Sequence, residues 1–283
     1  LPGEDAGGPK WLTDVNGTLF FSVFNGQEYE LWKSDGSSGG TVQVKILGEA
    51  FQNHDPENFT AAGGKLFFQF SNSSNGMELW VSDGSAAGTG LLKDIFTGTE
   101  GSWPSELTAV GNTLYFSATD DSHGWELWKS DGTASGTVMV SDVKTGSESS
   151  YPSELASFNG QLYFSADPGS ALGGRELWIS DGTVLGTHVL RDMGTGSSYP
   201  RDLTVVNNTL FYVANNDELW KSDGTSGGTD RVITLPGGWE ANPRYLTAGG
   251  NTLFFAADTP GNGEELWKSD GSEAGTVIVK DIN

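Results

Sequence analysis

The sequence predicts an all-β protein: a six-bladed β-propeller with four antiparallel strands in each blade. First, a twelve-residue stretch, Glu-Leu-Trp-x-Ser-Asp-Gly-(Thr/Ser)-x-x-Gly-Thr, occurs six times, 42 to 50 residues apart. Second, a short proline-led segment precedes each copy, and third, no stretch has the 3.6-residue periodicity of a helix. Repeats of this period indicate units that bury their apolar faces on their neighbours. The copies begin at Glu30, Glu78, Glu126, Glu176, Glu218 and Glu265.

Each repeat opens with a predicted strand A, which begins at a proline. Proline lacks a backbone N–H and is therefore suited to the first residue of a strand. A two-residue turn such as Asn16-Gly17 follows, made of residue types that accept the positive φ of a tight hairpin. Strand B, Thr18 to Ser22 in the first repeat, is apolar or aromatic on both faces, so we expect it to be buried on both sides. The prolines are Pro9, Pro56, Pro104, Pro152, Pro200 and Pro243.

Strands C and D complete each predicted blade. Strand C is Glu-Leu-Trp-x-Ser, which places Glu and Trp on one face and Leu on the other. The Asp-Gly segment then turns the chain into strand D, Val138 to Val143 in the third repeat. Because every repeat contains all four strands, we predict one domain, residues 1–283, in which blade six packs on blade one without a swapped strand. The blades span about residues 9–50, 56–98, 104–147, 152–196, 200–237 and 243–283.

Composition excludes several classes of function. The formal net charge is -22, from 37 acidic and 15 basic residues, so nucleic acid would be repelled. There is no cysteine, and no apolar run reaches the length of a membrane span, so we expect no membrane insertion. Residues 1–8 lack the features of a signal peptide, so if the protein is secreted, we expect that the signal has been removed or that this chain is a segment of a longer protein. The composition is typical of an extracellular bacterial protein, secreted or on the cell surface.

Glu-Leu-Trp and Ser-Asp-Gly are intact in all six copies, and on these residues the chain resembles the bacterial ELWxxDGT repeat family. The resemblance covers essentially the whole chain, and the following threonine is replaced by serine at Ser37, Ser85 and Ser272. It implies a β-propeller of a secreted or surface protein. The strand order is similar to that of kelch propellers, and the Asp-Gly turn is similar to the Asp-box of sialidase propellers. These likenesses imply architecture and no particular activity.

The repeated residues themselves have two interpretations. The six tryptophans are expected in the core between blades, and the alternative is a set of sugar-stacking pockets. The six motif aspartates are expected to cap their own turns, and the alternative is a cation in each turn. No copy has the alternating oxygen ligands of a calcium loop. No cofactor is therefore predicted with certainty, and calcium is the candidate ion.

Candidate site residues lie outside the motif. One set is aromatic, is predicted in the D-to-A and B-to-C connections on one face of the disc, and offers apolar surface to a carbohydrate or protein partner. The alternative is that these rings only cover the blade tops. The set is Trp11, Trp103, Trp125, Tyr151, Tyr199, Trp239 and Tyr245.

A second set is acidic and is predicted at the channel mouth. Such carboxylates could hold a cation or act as general acid and base, and the alternative is solvated charge at a pore rim. The set is Glu57, Glu106, Glu154 and Asp202.

A repeat without a catalytic constellation favours a non-enzymatic role. The first hypothesis is therefore an extracellular binding or adhesion module that recognises carbohydrate or protein through the variable loop face. One alternative is a secreted hydrolase or lyase that uses the channel-mouth carboxylates. Another is a structural module of a larger surface protein.

Overall fold

The computed structural model describes residues 7–49, 55–169, 174–193 and 196–282, and the blade ends predicted at residues 50 and 283 lie outside these ranges. The chain divides into two compact units, one up to Ser149 and the other from Ser150 onward. The described strands form six antiparallel sheets of four strands each, three sheets in each unit. In every sheet the four strands lie side by side in chain order. The all-β prediction and the four-stranded repeat are thus confirmed.

Unit 1 contains sheets 1 to 3. Sheet 1 consists of β1 (Lys10–Val15), β2 (Thr18–Phe24), β3 (Tyr29–Ser34) and β4 (Val42–Gly48). Sheet 2 consists of β5 (Glu57–Ala62), β6 (Lys65–Asn72), β7 (Gly76–Ser82) and β8 (Gly90–Leu91). Sheet 3 consists of β9 (Ser105–Val110), β10 (Thr113–Ala118), β11 (Glu126–Ser130) and β12 (Val138–Ser141). Strand D of the third repeat therefore ends two residues before the predicted Val143.

Unit 2 contains sheets 4 to 6 and one short 3-10 helix, Gly238–Glu240. Sheet 4 consists of β13 (Ser153–Phe158), β14 (Gln161–Ala166), β15 (Glu176–Ser180) and β16 (His188–Arg191). Sheet 5 consists of β17 (Arg201–Val206), β18 (Thr209–Ala214), β19 (Glu218–Ser222) and β20 (Thr229–Thr234). Sheet 6 consists of β21 (Arg244–Gly249), β22 (Thr252–Thr259), β23 (Gly263–Ser269) and β24 (Val277–Lys280). No helix among the described residues is long and apolar enough to cross a membrane.

The hairpins between first and second strands are as predicted. Asn16 and Gly17 have φ values of 53° and 83°, and they join β1 to β2 as a two-residue turn. Two consecutive positive φ values give the turn a twist that matches the flanking strands. The second strands β10 and β14 are buried on both faces as predicted, whereas β22 alternates between buried residues and half-buried or exposed ones.

Apolar side chains pack between consecutive sheets of one unit. In unit 1, Phe20 and Leu31 of sheet 1 share a buried cluster with Phe68 and Trp80 of sheet 2. The motif leucine therefore faces the next sheet and the motif tryptophan faces the preceding one. The aromatic partner of each tryptophan lies on the second strand of its own sheet, at 6.2 Å for Phe68 and Trp80, and not on the neighbouring sheet as expected. The predicted core role is confirmed for Trp80, Trp128, Trp178, Trp220 and Trp267, whereas Trp32 is only half-buried.

The motif turn is held by its own side chains. In the first copy, Oδ1 of Asp35 accepts hydrogen bonds from the backbone N–H and the hydroxyl of Ser37, at 2.8 and 2.7 Å. The hydroxyls of Ser34 and Thr41 lie 2.7 Å apart across the base of the turn. A Cβ added to Gly40 would lie 2.0 to 2.2 Å from the Asp35 carboxyl group, so only glycine fits there. The predicted capping role of the aspartate is confirmed.

Basic side chains join the motif turns of sheets 2, 3, 5 and 6 to the preceding sheet. Nζ of Lys33 in sheet 1 donates to the carbonyl oxygen of Gly84 in sheet 2, at 2.8 Å. Nζ of Lys93 in sheet 2 donates to the carbonyl oxygen of Thr137 in sheet 3, also at 2.8 Å. The backbone oxygens of the motif are thus part of the contact between sheets. Equivalent pairs are Lys45 with Thr89, Lys221 with Gly271 and Arg191 with Thr229.

We expect the variant Gly40→Ala to lose about 1 to 3 kcal/mol of unfolding free energy, because the new methyl group would displace the Asp35 carboxylate from the turn. Urea unfolding followed by tryptophan fluorescence measures the change. Gly39→Ala is the matched control, since a Cβ there would meet nothing within 4 Å. Equal stability of the two variants would show that the aspartate does not require this glycine.

Candidate functional site

The first strand of every sheet contains an irregular residue two positions after its proline. In β1 the pairing shifts from Lys10 opposite Ser22 to Thr13 opposite Phe20, which leaves one extra residue on β1. The irregular residues all have φ between 56° and 59°, although none is glycine. A left-handed conformation costs such residues roughly 1–2 kcal/mol, and strain of this kind is common at functional sites. They are Trp11, Asn58, Glu106, Glu154, Asp202 and Tyr245.

Three of these residues line one cleft in unit 1. Trp11, Asn58 and Glu106 surround a cavity of about 480 Å³ together with main-chain and side-chain atoms of β5 and β9. We call it the first-strand cleft. Its other lining residues are Phe59, Thr60, Ser105, Leu107 and Thr108.

Threonine hydroxyl groups form hydrogen bonds with the backbone of the strands that line the first-strand cleft. Oγ1 of Thr60 donates to the carbonyl oxygen of Asn58 at 3.1 Å, and Oγ1 of Thr108 donates to that of Glu106 at 3.0 Å. These bonds fix the irregular residues, so the cleft presents an indole ring, a carboxamide and a carboxylate on rigid strands. That combination suits a ligand with an apolar group and an N–H or amino donor.

In unit 2 the carboxylates at the irregular first-strand positions accept hydrogen bonds from backbone N–H groups. Oε2 of Glu154 accepts the N–H of Asp202 at 2.7 Å, and Oδ1 of Asp202 accepts the N–H of Tyr245 at 3.0 Å. Nη1 of Arg201 lies 3.2 Å from the other carboxylate oxygen of Asp202. Each carboxylate thus links one irregular residue to the next across neighbouring sheets, which offsets part of the backbone strain.

The remaining predicted carboxylate, Glu57, accepts a hydrogen bond from Nε2 of Gln69 at 2.8 Å. Among the residues that the structure describes, no three acidic or histidine side chains are close enough to hold a metal ion. The predicted acidic residues therefore contribute to sheet contacts, and a cation bound by them stays a prediction.

The predicted aromatic set occupies three kinds of position. Trp11 and Tyr245 lie within the first strands β1 and β21, so their expected placement in connecting loops is wrong. Their register places them at the irregular position of the strand. Trp239 is in the 3-10 helix and is 74% exposed.

The other members of the set lie next to strands. Trp103, Tyr151 and Tyr199 directly precede the prolines that open β9, β13 and β17, and they also have positive φ, from 48° to 51°. Trp125 is half-buried, and its backbone N–H donates a hydrogen bond to Oγ of Ser149 at 3.0 Å. The set is divided between the two units, three residues in unit 1 and four in unit 2, and only Trp11 lines the first-strand cleft.

The motif glutamates were not predicted as site residues, yet all six are buried. Oε1 of Glu78 accepts the N–H groups of Phe96 and Ser102 at 3.0 and 3.1 Å, and its other oxygen accepts the Ser102 hydroxyl. Burial raises the pKa of Glu78 to about 7, although these hydrogen bonds favour the charged form. Burial likewise raises the pKa of Glu176. The sequence signal that could have identified these glutamates is their occurrence at the same position of the third strand in all six repeats.

Two motif glutamates have the opposite shift. Burial also disfavours ionisation of Glu30, but hydrogen bonds from Trp32, Asn25 and Gln43 together outweigh it and lower the pKa. Nε1 of Trp32 and Nδ2 of Asn25 each lie 2.7 Å from the carboxylate. Glu218 has the equivalent indole and amide partners and a lowered pKa as well. The pKa of the same motif residue is therefore raised or lowered according to its burial and its hydrogen-bond donors.

A second cavity, of about 530 Å³, lies beside Glu218 in unit 2. Nη1 of Arg231 is 2.5 Å from the Glu218 carboxylate, and Arg191 lies over the ring of Trp220 at 5.8 Å while also approaching Asp230. The charged groups that line this second cavity are therefore paired with one another. The lining is completed by Met193 and Asn215.

Comparison with known proteins identifies solved structures whose fold is similar to that of this chain. No family model matches the chain, and no curated protein matches its sequence. Puromycin hydrolase superposes with a TM-score of 0.53 at 17% identity, over 93% of this chain and 43% of its own. A prolyl endopeptidase superposes with a TM-score of 0.55 at 13% identity, over 97% and 42%. The β-propeller domain of the Trilobed protease from Pyrococcus furiosus superposes with a TM-score of 0.51 at 12% identity, over 99% and 85%.

These likenesses are at the level of the fold, and this chain spans less than half the length of the two whole enzymes. They nevertheless correct the first functional hypothesis. A non-catalytic adhesion module was expected because the repeats contain no catalytic constellation, but several solved structures that this chain resembles are hydrolases or peptidases. A propeller that lacks catalytic residues is therefore compatible with a hydrolase, and the inference from their absence was wrong.

We expect Glu78→Gln to remove a pH dependence of stability. Because the folded pKa is raised from 4.5 to about 7, the contribution of Glu78 is fully present below pH 4.5 and is lost as the pH rises through 7. The unchanged protein should therefore lose up to about 3 kcal/mol between pH 5 and pH 8, and the variant should not. Urea unfolding at both pH values measures this.

Glu30→Gln is the control for this prediction. Its pKa is lowered, so its stabilisation is present above the unfolded value and is lost only as the pH falls through the folded value. The variant should be less stable than the unchanged protein by the same amount at pH 5 and pH 8. An unaltered pH slope in Glu78→Gln would contradict the assignment.

Proposed function

We propose that this chain is a β-propeller that serves a hydrolase acting on peptides or peptide-like amides. One observation carries the proposal: the chain resembles propeller-containing peptidases over more than nine-tenths of its length. The first-strand cleft supports it, because it presents an aromatic ring and a carboxylate on rigid strands.

The finer architecture is part of the proposal. Six sheets of this kind correspond to six propeller blades, and each is built from four consecutive strands. Sheets 1 and 6 are both complete, so a contact between a sixth blade and a first blade requires no swapped strand. Membership of the ELWxxDGT family and a position outside the cell also belong here, supported by the six intact motifs and the acidic composition.

In this proposal Glu106 contacts the substrate in the first-strand cleft, and none of the first-strand carboxylates breaks the bond. Glu154 and Asp202 already accept backbone N–H donors, so they are poorly placed to pass a proton to a leaving group. The nucleophile then comes from a catalytic segment outside this sequence. Amide hydrolysis by that segment consumes one water and releases an amine and a carboxylate.

Two motif turns superficially match the nucleophile pattern Gly-x-Ser-x-Gly, at Ser38 and Ser226. In hydrolases that pattern forms a sharp turn between a strand and a helix. Here Ser38 lies between β3 and β4, and Ser226 lies between β19 and β20. Neither serine has the structural setting of a nucleophile, which supports an external catalytic group.

The first-strand cleft favours substrates with a free amino group. Glu106 and Trp11 both line this cleft, and the net charge of -22 attracts cationic ligands generally. We therefore expect peptides with an unblocked amino terminus next to an apolar side chain.

In the full-length gene product that contains this sequence, Trp11→Ala and Glu106→Gln should each raise KM for an aminoacyl p-nitroanilide about tenfold. That factor corresponds to about 1.4 kcal/mol of lost binding, with kcat changed little, because the residues bind substrate in ground and transition states alike. Steady-state kinetics on substrates with free and acetylated amino groups provide the measurement.

Trp239→Ala is the control, since this exposed tryptophan lies outside the first-strand cleft and should leave KM unchanged. Absence of amide hydrolysis by the full-length product would overturn the proposed function. Full turnover by residues 1–283 alone would overturn the external nucleophile.

A further inference from the structure

We propose that the second cavity, between sheets 4 and 5 of unit 2, is a binding site for a singly charged organic carboxylate. Its two arginines, Arg191 and Arg231, bind the carboxylate oxygens. The inference is independent of the proposed hydrolase function, because it concerns a different cavity, in the other unit, and a different group of the ligand.

The second cavity lies where the fifth repeat departs from the others. The residue of the fourth strand that lies opposite the motif tryptophan shares a sheet face with it. In sheet 5 this residue is Arg231, opposite Trp220, and in sheet 1 it is the uncharged Gln43. The other four sheets have an apolar residue there, namely Leu91, Met139, Val189 and Ile278. Sheet 5 thus places a charged group where the repeat normally packs an apolar side chain.

The length of the fourth strand also distinguishes sheet 5. In sheet 3 the fourth strand ends at Ser141, and the next segment folds over the motif glutamate, since the N–H of Val143 donates to Glu126 at 3.0 Å. In sheet 5 the fourth strand continues to Thr234, which lies opposite Glu218. The segment that covers the glutamate in sheet 3 is therefore part of the strand in sheet 5, and side chains contact Glu218 instead.

Arg231 is fixed by one of its terminal nitrogens. Nη1 of Arg231 donates to Oε1 of Glu218 at 2.5 Å, and the other carboxylate oxygen accepts hydrogen bonds from Asn215 and Trp220 at 2.7 and 2.9 Å. The charge of Glu218 is thus satisfied by three donors. Nε and Nη2 of Arg231 make no hydrogen bond to any residue that the structure describes, and the side chain is 54% exposed.

Arg191 reaches the second cavity from the last strand of sheet 4 and is fixed in the same way. Its Nη1 donates to the carbonyl oxygen of Thr229 and lies 3.4 Å from Oδ1 of Asp230. The guanidinium group covers the ring of Trp220 at 5.8 Å, a contact that further restricts its orientation. Within the described part of the chain, Nε and Nη2 of Arg191 have no hydrogen-bond partner either.

This arrangement suits a carboxylate. The Nε and Nη2 groups of an arginine can donate two parallel hydrogen bonds to the two oxygens of a carboxylate, and an arginine that is already oriented loses little freedom on binding. The volume of about 530 Å³ accommodates a short organic body, and Met193 adds apolar surface. The net charge of -22 opposes multiply charged anions such as phosphate, so a single charge is favoured. The carboxyl end of a peptide belongs to this class of ligand.

Isothermal titration calorimetry of this chain with N-acetyl-leucine tests the proposal. The probe has one carboxylate and no free amino group, so the amino preference proposed for the first-strand cleft does not contribute to its binding. N-acetyl-leucinamide, in which an uncharged amide replaces the carboxylate, should bind at least about tenfold more weakly, because charge-assisted bidentate hydrogen bonds are lost. Inorganic phosphate, the second oxyanion, should also bind more weakly than N-acetyl-leucine.

Two variants of the arginines should weaken binding of N-acetyl-leucine. Arg231→Gln should do so at least about tenfold, because the paired donors are removed. Arg191→Lys retains the positive charge but lacks the bidentate edge, so it should also bind more weakly. Lys45 and Lys93 occupy the equivalent position in sheets 1 and 2 and make the equivalent contact, so this variant should fold normally.

Arg244→Gln is the matched control. It removes the same charge from unit 2, at an arginine that pairs with Glu264 and does not line the second cavity. This variant should bind N-acetyl-leucine like the unchanged protein. Urea unfolding checks that each variant is folded, and if Arg231→Gln is not, Arg191→Lys decides the test.

The proposal is wrong if the unchanged protein shows no binding of N-acetyl-leucine, or if it binds the acid and the amide equally well. Equal losses of affinity in Arg244→Gln and Arg231→Gln would reduce the effect to overall charge and would likewise contradict the site. Tighter binding of inorganic phosphate than of N-acetyl-leucine would overturn the choice of a singly charged carboxylate.

Discussion

The structure depends on the burial of apolar sheet faces between consecutive sheets of each unit. The motif leucine is directed to the next sheet and the motif tryptophan to the preceding one, so no sheet can cover both faces by itself. Within each unit this contact repeats between consecutive sheets, and stability is accordingly shared through nearest neighbours. Lysine and arginine bonds to the motif turns then fix the position of one sheet against the next.

This constraint explains what the sequence predicts well. Alternating apolar residues, the positive-φ turns and the regular spacing define the four strands, because each signal arises from contacts inside one repeat. Trp80 was correctly assigned to the core on the same basis. The contact of Trp80 with Phe68 in its own sheet was not predicted. The two residues lie opposite each other in the register of β6 and β7, which brings their rings within reach.

The candidate site was less predictable for a physical reason. Trp11 and Tyr245 were assigned to loops, but an extra residue in the first strand keeps them within β1 and β21. The conformation at this irregular position is one that glycine normally adopts. Because no glycine occupies it in any of the six sheets, no residue type marks the irregularity in the sequence. Nor could the sequence show that the pKa of Glu78 is raised while that of Glu30 is lowered, since the balance between burial and hydrogen bonding at each carboxylate depends on the folded structure.

The distribution of hydrogen bonds indicates where specificity can reside. In the motif turn, the aspartate, serine and threonine side chains bind within the turn, and basic side chains of the preceding sheet occupy its backbone oxygens. The irregular position of the first strand differs, because its backbone is the same in six sheets while its side chain changes from tryptophan to asparagine, glutamate, aspartate or tyrosine. A fixed backbone with a variable side chain is suited to recognition, and a fixed side chain in a saturated turn is suited to assembly. The repeated motif is therefore the part of the protein that builds the fold, and the strained, variable residues beside it are the part best suited to recognition.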